Sequence, residues 1–420
     1  MGSDPGGDIV GRRGGKRVKI SFLRDALILI FCVRAGLAAA DLDYCLKTAV
    51  LNNHGLLLVA EDIKISKLKL EQVGSLFRPK LSLGAYYDYY SLDYPSVFSS
   101  SLGAFNLQEA SDNLYGTRVT LTQPLYTGGA VSTLKKQASQ KLLDSGNMLA
   151  AEKNRLLYGV KEKYINVVYL KRKIEALENA LRQIKKIDGG GKAGVYSDMI
   201  RQKSELNAAL VDNVYALNAL ISSEFIKAED ISGEALIDGD LSGDEPTKFI
   251  LLAGQNRPEL KSLREKESVD FLSLGLEQSV KFPNVDLFST YDYLHAVGDE
   301  WASNFQVGIS MTLPLYDGGA RWLRFEEKKA LLRKTKVNIA QAEEAIRREV
   351  EKACRGYSLA GEYLKEAQAE KKNFRMPGKI SPEDIVAWAR VTENELDAGM
   401  KFNLAGAYLE YAAGLLISKY

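Results

Sequence analysis

The chain is poor in the residues on which most enzymes and metal sites depend. Its 420 residues include two histidines, His54 and His295, and three cysteines. They contain no C-x-x-C, H-E-x-x-H, P-loop or G-x-S-x-G motif. The triple glycine at 189–191 follows a helical pattern rather than a strand, so it indicates a turn and not a phosphate loop. We therefore expect no enzyme, no cofactor and no metal site, and a net charge of +2 gives no indication of a nucleic-acid partner.

A long apolar run is also missing. The apolar residues 26–33 are too few to span a bilayer as a helix, which takes roughly 20 residues. They follow basic residues at 16–19 and precede three alanines at 38–40. This order is typical of a secretory signal peptide, which we predict at 1–40, with the mature protein beginning near Asp41.

What the sequence does contain is a repeat. Residues 121–130 (LTQPLYTGGA) and 311–320 (MTLPLYDGGA) are near copies at a spacing of 190. Residues 52–55 match 256–259 at a spacing of 204. Spacings that stay constant and change only at discrete points indicate a duplication with insertions in loops. We predict a first repeat at 41–226, a glycine-rich acidic connection at 227–248 and a second repeat at 249–420.

Each repeat contains two stretches in which apolar and polar residues alternate. In one of them Phe305, Val307 and Ile309 fall on one face, while Gln306 and Gly308 fall on the other. A period of two over about ten residues, with tyrosines near the ends, is typical of transmembrane β-strands. The alternative is the half-buried strands of a soluble sheet. The predicted strands cover residues 81–93, 113–126, 283–294 and 304–316.

Four such strands cannot close a barrel in one chain. Unpaired strand edges are not tolerated in lipid, so other chains have to contribute strands. The smallest symmetric closure that leaves an aqueous bore takes three copies and 12 strands. We therefore predict an obligate oligomer in contact with membrane lipid.

A helical pattern of unusual length follows each strand pair, at about 131–187 and 320–373. Apolar residues recur there at three- and four-residue steps, and such a helix reaches roughly 85 Å. Glycine-bearing breaks at 189–194 and 376–378 indicate that a second helix returns as a hairpin. The alternative is an antiparallel coiled-coil scaffold, but the strands favour the wall of a tunnel. The first repeat has 14 extra residues between 93 and 113, which predict a longer surface loop.

The doubled P-L-Y-x-G-G motifs, the segments at 52–55 and 256–259 and the breaks at 194 and 378 together resemble the TolC family of outer-membrane efflux proteins. The resemblance covers residues 42–418. It implies a mixed membrane α+β fold, in which a homotrimeric 12-stranded transmembrane β-barrel is continued by a periplasmic α-helical barrel. It also implies a passive exit duct in the outer membrane of a Gram-negative bacterium, for tripartite efflux or type I secretion. The implied partners are two further copies of the chain, outer-membrane lipid, a periplasmic adaptor (membrane fusion protein) and an inner-membrane pump.

The same resemblance points to acids at the hairpin tips. Family members often carry a glycine, an aspartate six residues later and a second aspartate three further on, which ring the periplasmic aperture and select cations. Here Asp384 stands at the first position, but Ala387 occupies the second, where Glu383 could compensate. The counterpart in the first repeat is Asp198. The alternative is that these acids only stabilise the N-termini of their helices.

Other tip residues are implied in gating and docking. Arg375, just before the second break, is expected to pair with the tip acids in a closed state. The residues expected to dock on the adaptor are Gly194, Val195, Tyr196, Gly378, Lys379 and Ile380.

Cys45 and Cys354 are expected at similar distances below the strands. In an oxidising periplasm they could form a disulfide, which we state as a hypothesis. The competing interpretations of the whole chain are a soluble periplasmic coiled-coil scaffold and an adaptor protein. An adaptor needs a compact lipoyl-like domain split around its hairpin, and the sequence has no such pattern.

Overall fold

The structure is a computed structural model that describes residues 40–89, 97–100, 103–106, 110–188, 193–222, 226–231, 245–297, 300–377 and 381–419. The predicted signal peptide, apart from Ala40, lies outside these residues. Within them, no helix has both the length and the apolar character needed to cross a membrane. The helices are α1 (Leu42–Asn52), α2 (His54–Gly74), α3 (Ala130–Asp188), α4 (Ala193–Ile221), α5 (Pro246–Asn256), α6 (Pro258–Ser279), α7 (Ala320–Asn373), α8 (Pro382–Ala412) and α9 (Leu416–Lys419).

The strands form one four-stranded antiparallel sheet and one separate hairpin. The sheet has the order β1 (Lys80–Tyr89), β4 (Ala110–Thr127), β5 (Asn284–Val297) and β6 (Glu300–Thr312), so β1 and β6 are its edges. The hairpin pairs β2 (Val97–Ser100) with β3 (Gly103–Asn106). Each half of the chain therefore has the same order of two helices, two strands of the sheet and a helical hairpin.

Two of the sequence-based expectations about the strands are wrong in detail. The segment 93–113 is predicted as a surface loop, but it contains the antiparallel pair of β2 and β3, in which Val97 pairs with Asn106 and Ser100 with Gly103. The last predicted strand was expected to reach residue 316, but β6 ends at Thr312. The following residues find no neighbouring strand within the described part of this chain, whereas the matching end of β4 pairs with β5.

Paired glycines join each strand pair to its long helix. Gly128 and Gly129 precede α3 with φ of 61° and 82°, and Gly318 and Gly319 precede α7 with φ of 68° and 84°. Residues with a side chain rarely adopt this left-handed backbone, so glycine is required for the sharp change from strand to helix. Helix α3 then runs for 59 residues and α7 for 54, which corresponds to about 90 Å and 80 Å.

A single extended residue separates the two helices that lead up to each strand pair. Asn53 lies between α1 and α2 with ψ of 122°, and Arg257 lies between α5 and α6 with ψ of 116°. The side chain of Asn53 accepts from the Leu56 N–H and donates to the Leu220 carbonyl at 2.9 Å. Arg257 instead donates to the Ala412 carbonyl at 3.3 Å. Each bend is thus tied to the end of a returning helix, α4 or α8.

The buried apolar residues form three clusters along the helices. The largest surrounds Leu157, Val160 and Tyr164 of α3 and includes residues of α1 and α4. A second joins α5, α7 and α8, and a third joins α3, α4 and α8 near the hairpin breaks. The first half of α3 packs against α2 and α6 and its second half against α4 and α8.

The disulfide hypothesis is wrong. Both Cys45 and Cys354 are free thiols. Cys45 is buried in the largest cluster, whereas Cys354 packs at the edge of the second cluster on α7. The two cysteines are at similar distances along the chain from the strands, but α1 and α7 do not bring their side chains together.

Candidate functional site

The four-stranded sheet has one apolar face, which is exposed in the single chain. The strand registers pair Leu83 with Val119, Val119 with Tyr291 and Tyr291 with Phe305, so one row of apolar side chains crosses all four strands. Leu83 retains 75% of its exposure and Ile309 retains 68%. An apolar surface of this extent marks contact with lipid or with another apolar surface. Its exposed members include Leu81, Leu83, Tyr87, Leu121, Tyr293, Phe305, Val307, Ile309 and Met311.

The opposite face of the sheet is mostly polar. Gly84, Arg118, Asp292 and Asn304 form one row across the four strands. The Arg118 Nε donates to the Asp292 Oδ1 at 2.5 Å, and the guanidinium carbon lies 5.9 Å from the centre of the Tyr86 ring. A neighbouring row carries the polar side chains Ser82, Thr120, Thr290 and Gln306. This face suits water rather than lipid.

An aromatic cluster marks the end of the sheet that lies furthest from the helices. The rings of Tyr115 and His295 stack at 4.7 Å, and those of Tyr293 and Trp301 stack at 4.8 Å. Trp301 also meets Tyr115 edge to face at 5.4 Å. These residues are on the apolar face, and aromatic rings in such a position are typical of a membrane interface. The alternation in the sequence predicts only the tyrosines at this position, and the strand registers add His295 and Trp301.

The tip acids occupy different environments. Asp384 is the third residue of α8 and forms a capping box with Ser381, whose N–H and Oγ donate to the Asp384 Oδ2 at 2.8 Å and 2.7 Å. This bonding is what the helix N-terminus alternative predicts. Glu383 lies in the same first turn. Asp198 of α4 is 77% exposed, and its Oδ1 lies 3.7 Å from the Arg201 Nη2.

The predicted docking residues lie around the hairpin breaks. Gly194 and Val195 are in the first turn of α4, and Tyr196 is half-buried against the apolar cluster that joins α3, α4 and α8. Arg375 is exposed in the connection between α7 and α8. Gly378, Lys379 and Ile380 lie outside the described residues.

Packing at the tip fixes the two hairpins to each other. Ile385 of α8 is almost fully buried against Ile184 of α3 and Met199 of α4. Slightly further from the breaks, the Gln202 Nε2 donates to both carboxylate oxygens of Glu393 at 2.9 Å. The tip is therefore a packed unit, and the exposed acid Asp198 lies in the second turn of α4.

Three solved structures give the comparison with known proteins. The channel protein CusC has 14% identity and a TM-score of 0.64, and the match covers 89% of this chain and 92% of CusC. The outer-membrane channel OprN has 13% identity, 89% coverage of both chains and a TM-score of 0.68. The outer-membrane channel CmeC of Campylobacter jejuni has 16% identity and a TM-score of 0.66, with 89% of this chain and 85% of CmeC covered.

Comparisons by sequence found no such match. No protein-family model matches the chain, and no curated protein does. At identities this low, the structural matches show the fold, and they cover nearly all of each chain. Those neighbours are channel proteins rather than enzymes. The chain therefore has the TolC-like fold of the outer membrane factor channels.

Proposed function

We propose that this chain is the outer-membrane exit duct of a tripartite efflux or type I secretion system in a Gram-negative bacterium. Three copies of an internally duplicated chain close a 12-stranded transmembrane β-barrel, and their long helices continue it as a periplasmic tunnel. The duct is passive, and it works with a periplasmic adaptor and an inner-membrane pump. The soluble scaffold and the adaptor protein are the alternatives.

One observation carries the proposal: the sheet has an exposed apolar face, a polar face and two open edges. A soluble scaffold would have no use for an apolar face of this size. Open edges are costly in lipid unless another strand pairs with them. Both features are accounted for when the apolar face contacts lipid, the polar face lines water and the edges meet neighbouring copies. The helices of about 80–90 Å extend the tunnel into the periplasm.

A matched pair of variants on β6 tests which face contacts lipid. Val307→Arg places a charge on the apolar face near the middle of the strand, whereas Gln306→Arg places it on the polar face one residue away. At the bilayer midplane the first change costs about 2–4 kcal/mol. We expect Val307→Arg to abolish assembly in the outer-membrane fraction, and Gln306→Arg to assemble and alter conductance. Equal tolerance of both variants would refute the proposed orientation.

The assembly itself is tested by the mass of the detergent-solubilised protein. A three-chain particle from the outer-membrane fraction is expected. A soluble monomer or dimer would contradict the duct and favour the scaffold.

We further propose that the tip acids act at the periplasmic aperture, and that the residues around the two breaks contact the adaptor. Asp384 has to combine this role with its capping box. Asp384→Asn and Ser381→Ala both disturb the box, but only the first removes a charge. In planar bilayers, Asp384→Asn is expected to lower cation preference and Ser381→Ala to leave it unchanged. If both variants have the same selectivity as the parent, Asp384 is only a capping residue and the exposed Asp198 is the better aperture candidate.

A further inference from the structure

The open end of β6 has a counterpart inside the same chain. Residues 123–127 of β4 pair with the start of β5, and they match residues 313–317 at the spacing of 190. The second set lies beyond the end of β6, and Leu315 and Tyr316 retain 84% and 85% of their exposure. The corresponding Leu125 and Tyr126 retain 51% and 44%. The same sequence pattern is therefore less exposed in the half of the chain where it pairs with a neighbouring strand.

The edge strand β1 is the counterpart of β5. It begins at Lys80, and β5 begins at Asn284, a spacing of 204. Strand β6 leads towards the long helix and β1 leads away from the helices, so β6 of one copy and β1 of the next would be antiparallel, as β4 and β5 are. The two edge strands β6 and β1 thus correspond to β4 and β5, which pair with each other within the chain.

We infer that β6 of one copy pairs with β1 of a second copy in the register that β4 and β5 have within the chain. Val119 pairs with Tyr291, which places Ile309 opposite Tyr87 of the second copy. Leu121 pairs with Ser289, which places Met311 opposite Ala85 of the second copy. This inference rests on the proposed homotrimer and specifies which residues of the two copies meet.

The register is consistent with the faces of the sheet. Ile309, Met311, Ala85 and Tyr87 all belong to the apolar face within their own sheets. A slip of one residue would place polar side chains of one strand on the apolar face of the other. A slip of two residues keeps the faces and is the closest competing arrangement.

A proline gives the pairing a specific irregularity. In β4 the register shifts between Pro124 and Tyr126, so Leu125 is an extra residue opposite β5. Proline has no N–H to donate to a ladder, and bulges accommodate it. Pro314 stands at the matching position. We therefore place Leu315 as the extra residue of the contact between copies, with Tyr316 opposite Leu81 of the second copy and Asp317 opposite Lys80 of the second copy.

Cysteine pairs test the register in the assembled protein. The variants are built on Cys45→Ala and Cys354→Ala, so that introduced thiols can be followed. Ile309→Cys with Tyr87→Cys is the pair to be bridged between copies. Directly opposite residues in an antiparallel pair bring their Cβ atoms to about 4.5–5.5 Å, and mild oxidation can join them, whereas residues two places along are about 7–8 Å apart.

The chain supplies a matched control. Val119→Cys with Tyr291→Cys has the same place in the ladder, but it bridges within one chain. Ile309→Cys with Ala85→Cys and with Tyr89→Cys represent slips of two residues. We expect the Ile309/Tyr87 pair to give covalent dimers and trimers on non-reducing gels, at a yield like that of the intrachain control. Both slipped pairs are expected to give roughly tenfold less.

The outcomes separate the register from the proposed duct. Bridging by a slipped pair in a three-chain particle would overturn the register and leave the duct in place. Bridging by Ile309→Cys alone would indicate that two β6 strands meet, which overturns the pairing of β6 with β1. If the intrachain control is bridged but the particle contains one chain, the protein is folded and is not a homotrimer. That result would refute both the proposed duct and the proposed pairing of β6 with β1.

Discussion

Arg257 is the residue whose loss should most clearly weaken the second repeat. Its guanidinium is buried at the bend between α5 and α6 and donates to the Glu349 Oε2 at 2.6 Å and to the Ala412 carbonyl at 3.3 Å. It also lies 5.5 Å from the centre of the Tyr411 ring. One side chain therefore joins the bend to α7 and α8. Burial alone would lower the pKa of Arg257, but the combined effect of the Glu259 and Glu349 carboxylates is larger, so the pKa is raised.

The change Arg257→Ala removes these contacts and leaves Glu349 without the cation. Breaking a buried ion pair typically costs about 3–5 kcal/mol. Glu349 keeps 27% of its side-chain exposure and Glu259 keeps 40%, so water can partly replace the cation. The lost contact with the aromatic ring adds about 1 kcal/mol. We expect a loss of about 3 kcal/mol in the free energy of unfolding.

Arg264 on α6 supplies the matched control. It pairs with Glu343 on α7 at 3.2 Å, but both side chains are about half exposed, and such pairs contribute about 0–1 kcal/mol. Thermal unfolding of the detergent-solubilised protein should show a clearly lower midpoint for Arg257→Ala than for Arg264→Ala. Adding Glu349→Ala to Arg257→Ala should recover part of the loss, because the unpaired acid is removed. Equal midpoints for the two arginine variants would refute this account.

Four further predictions concern the turns, the thiols and the tip. Gly128→Ala should lower stability more than Gly318→Ala, because both have positive φ but only a Cβ at Gly128 would overlap a backbone carbonyl; equal unfolding midpoints would contradict this. Burial raises the pKa of the Cys45 thiol to about 12, so maleimide at pH 8 should label Cys354 while Cys45 reacts only after unfolding. Because the unfolded Cys45 loses its proton at a lower pH than the folded one, its contribution to stability should fall above about pH 9, which pH-dependent unfolding with a Cys45→Ala control would detect. Asp198→Asn should lower the cation preference of single channels without changing the unfolding midpoint, since the side chain is largely exposed.

The sequence was sufficient to predict the main elements because each leaves a local pattern. The long helices begin at Ala130 and Ala320, directly after the glycine pairs that mark the ends of the near-copied motifs. The alternation of apolar and polar residues predicted the four strands and predicted that the apolar side chains of each strand lie on one face. Both patterns depend on neighbours in the sequence, with periods of about 3.6 and 2 residues.

The contacts across strands were less accessible. The pair of Arg118 with Asp292 and the stack of Tyr293 on Trp301 depend on register, which alternation alone does not determine. One usable signal was present in the sequence: residues 298 and 299 are Gly and Asp, a dipeptide that favours a hairpin, and the flanking Val297 and Glu300 pair in the structure. Counting from that pair would still misplace the rest of the β5–β6 register by one residue, because the register shifts between His295 and Val297.

The tip acids could not be assigned from spacing alone. Asp384 stands where an aperture acid was expected, but the same position is the third of a helix that begins after Ser381. A capping box needs the same spacing of serine and acid. The sequence therefore supports both an aperture role and a capping role for Asp384. Variants that change its charge and its capping bonds separately are needed to distinguish the two roles.

The distribution of buried residues is consistent with the proposed homotrimer. Near its start, α3 is held to α6 by polar contacts such as that of Gln137 with Ser273, and α7 is held to α6 by Thr335 and the buried Asp270. The large apolar clusters lie further along the helices, around Leu157 and around Val350. In the proposed tunnel wall, which is one helix layer thick, each helix would expose two sides and have only a narrow surface to bury in its own chain. The same neighbouring copies would then cover the exposed apolar side chains of the helices and the two edge strands. In the register proposed for β6 and β1, assembly buries the exposed apolar side chains and the edge strands in one step. In a time course of assembly, the pairing of β6 with β1 should therefore form at the same rate as the monomer disappears, and not earlier.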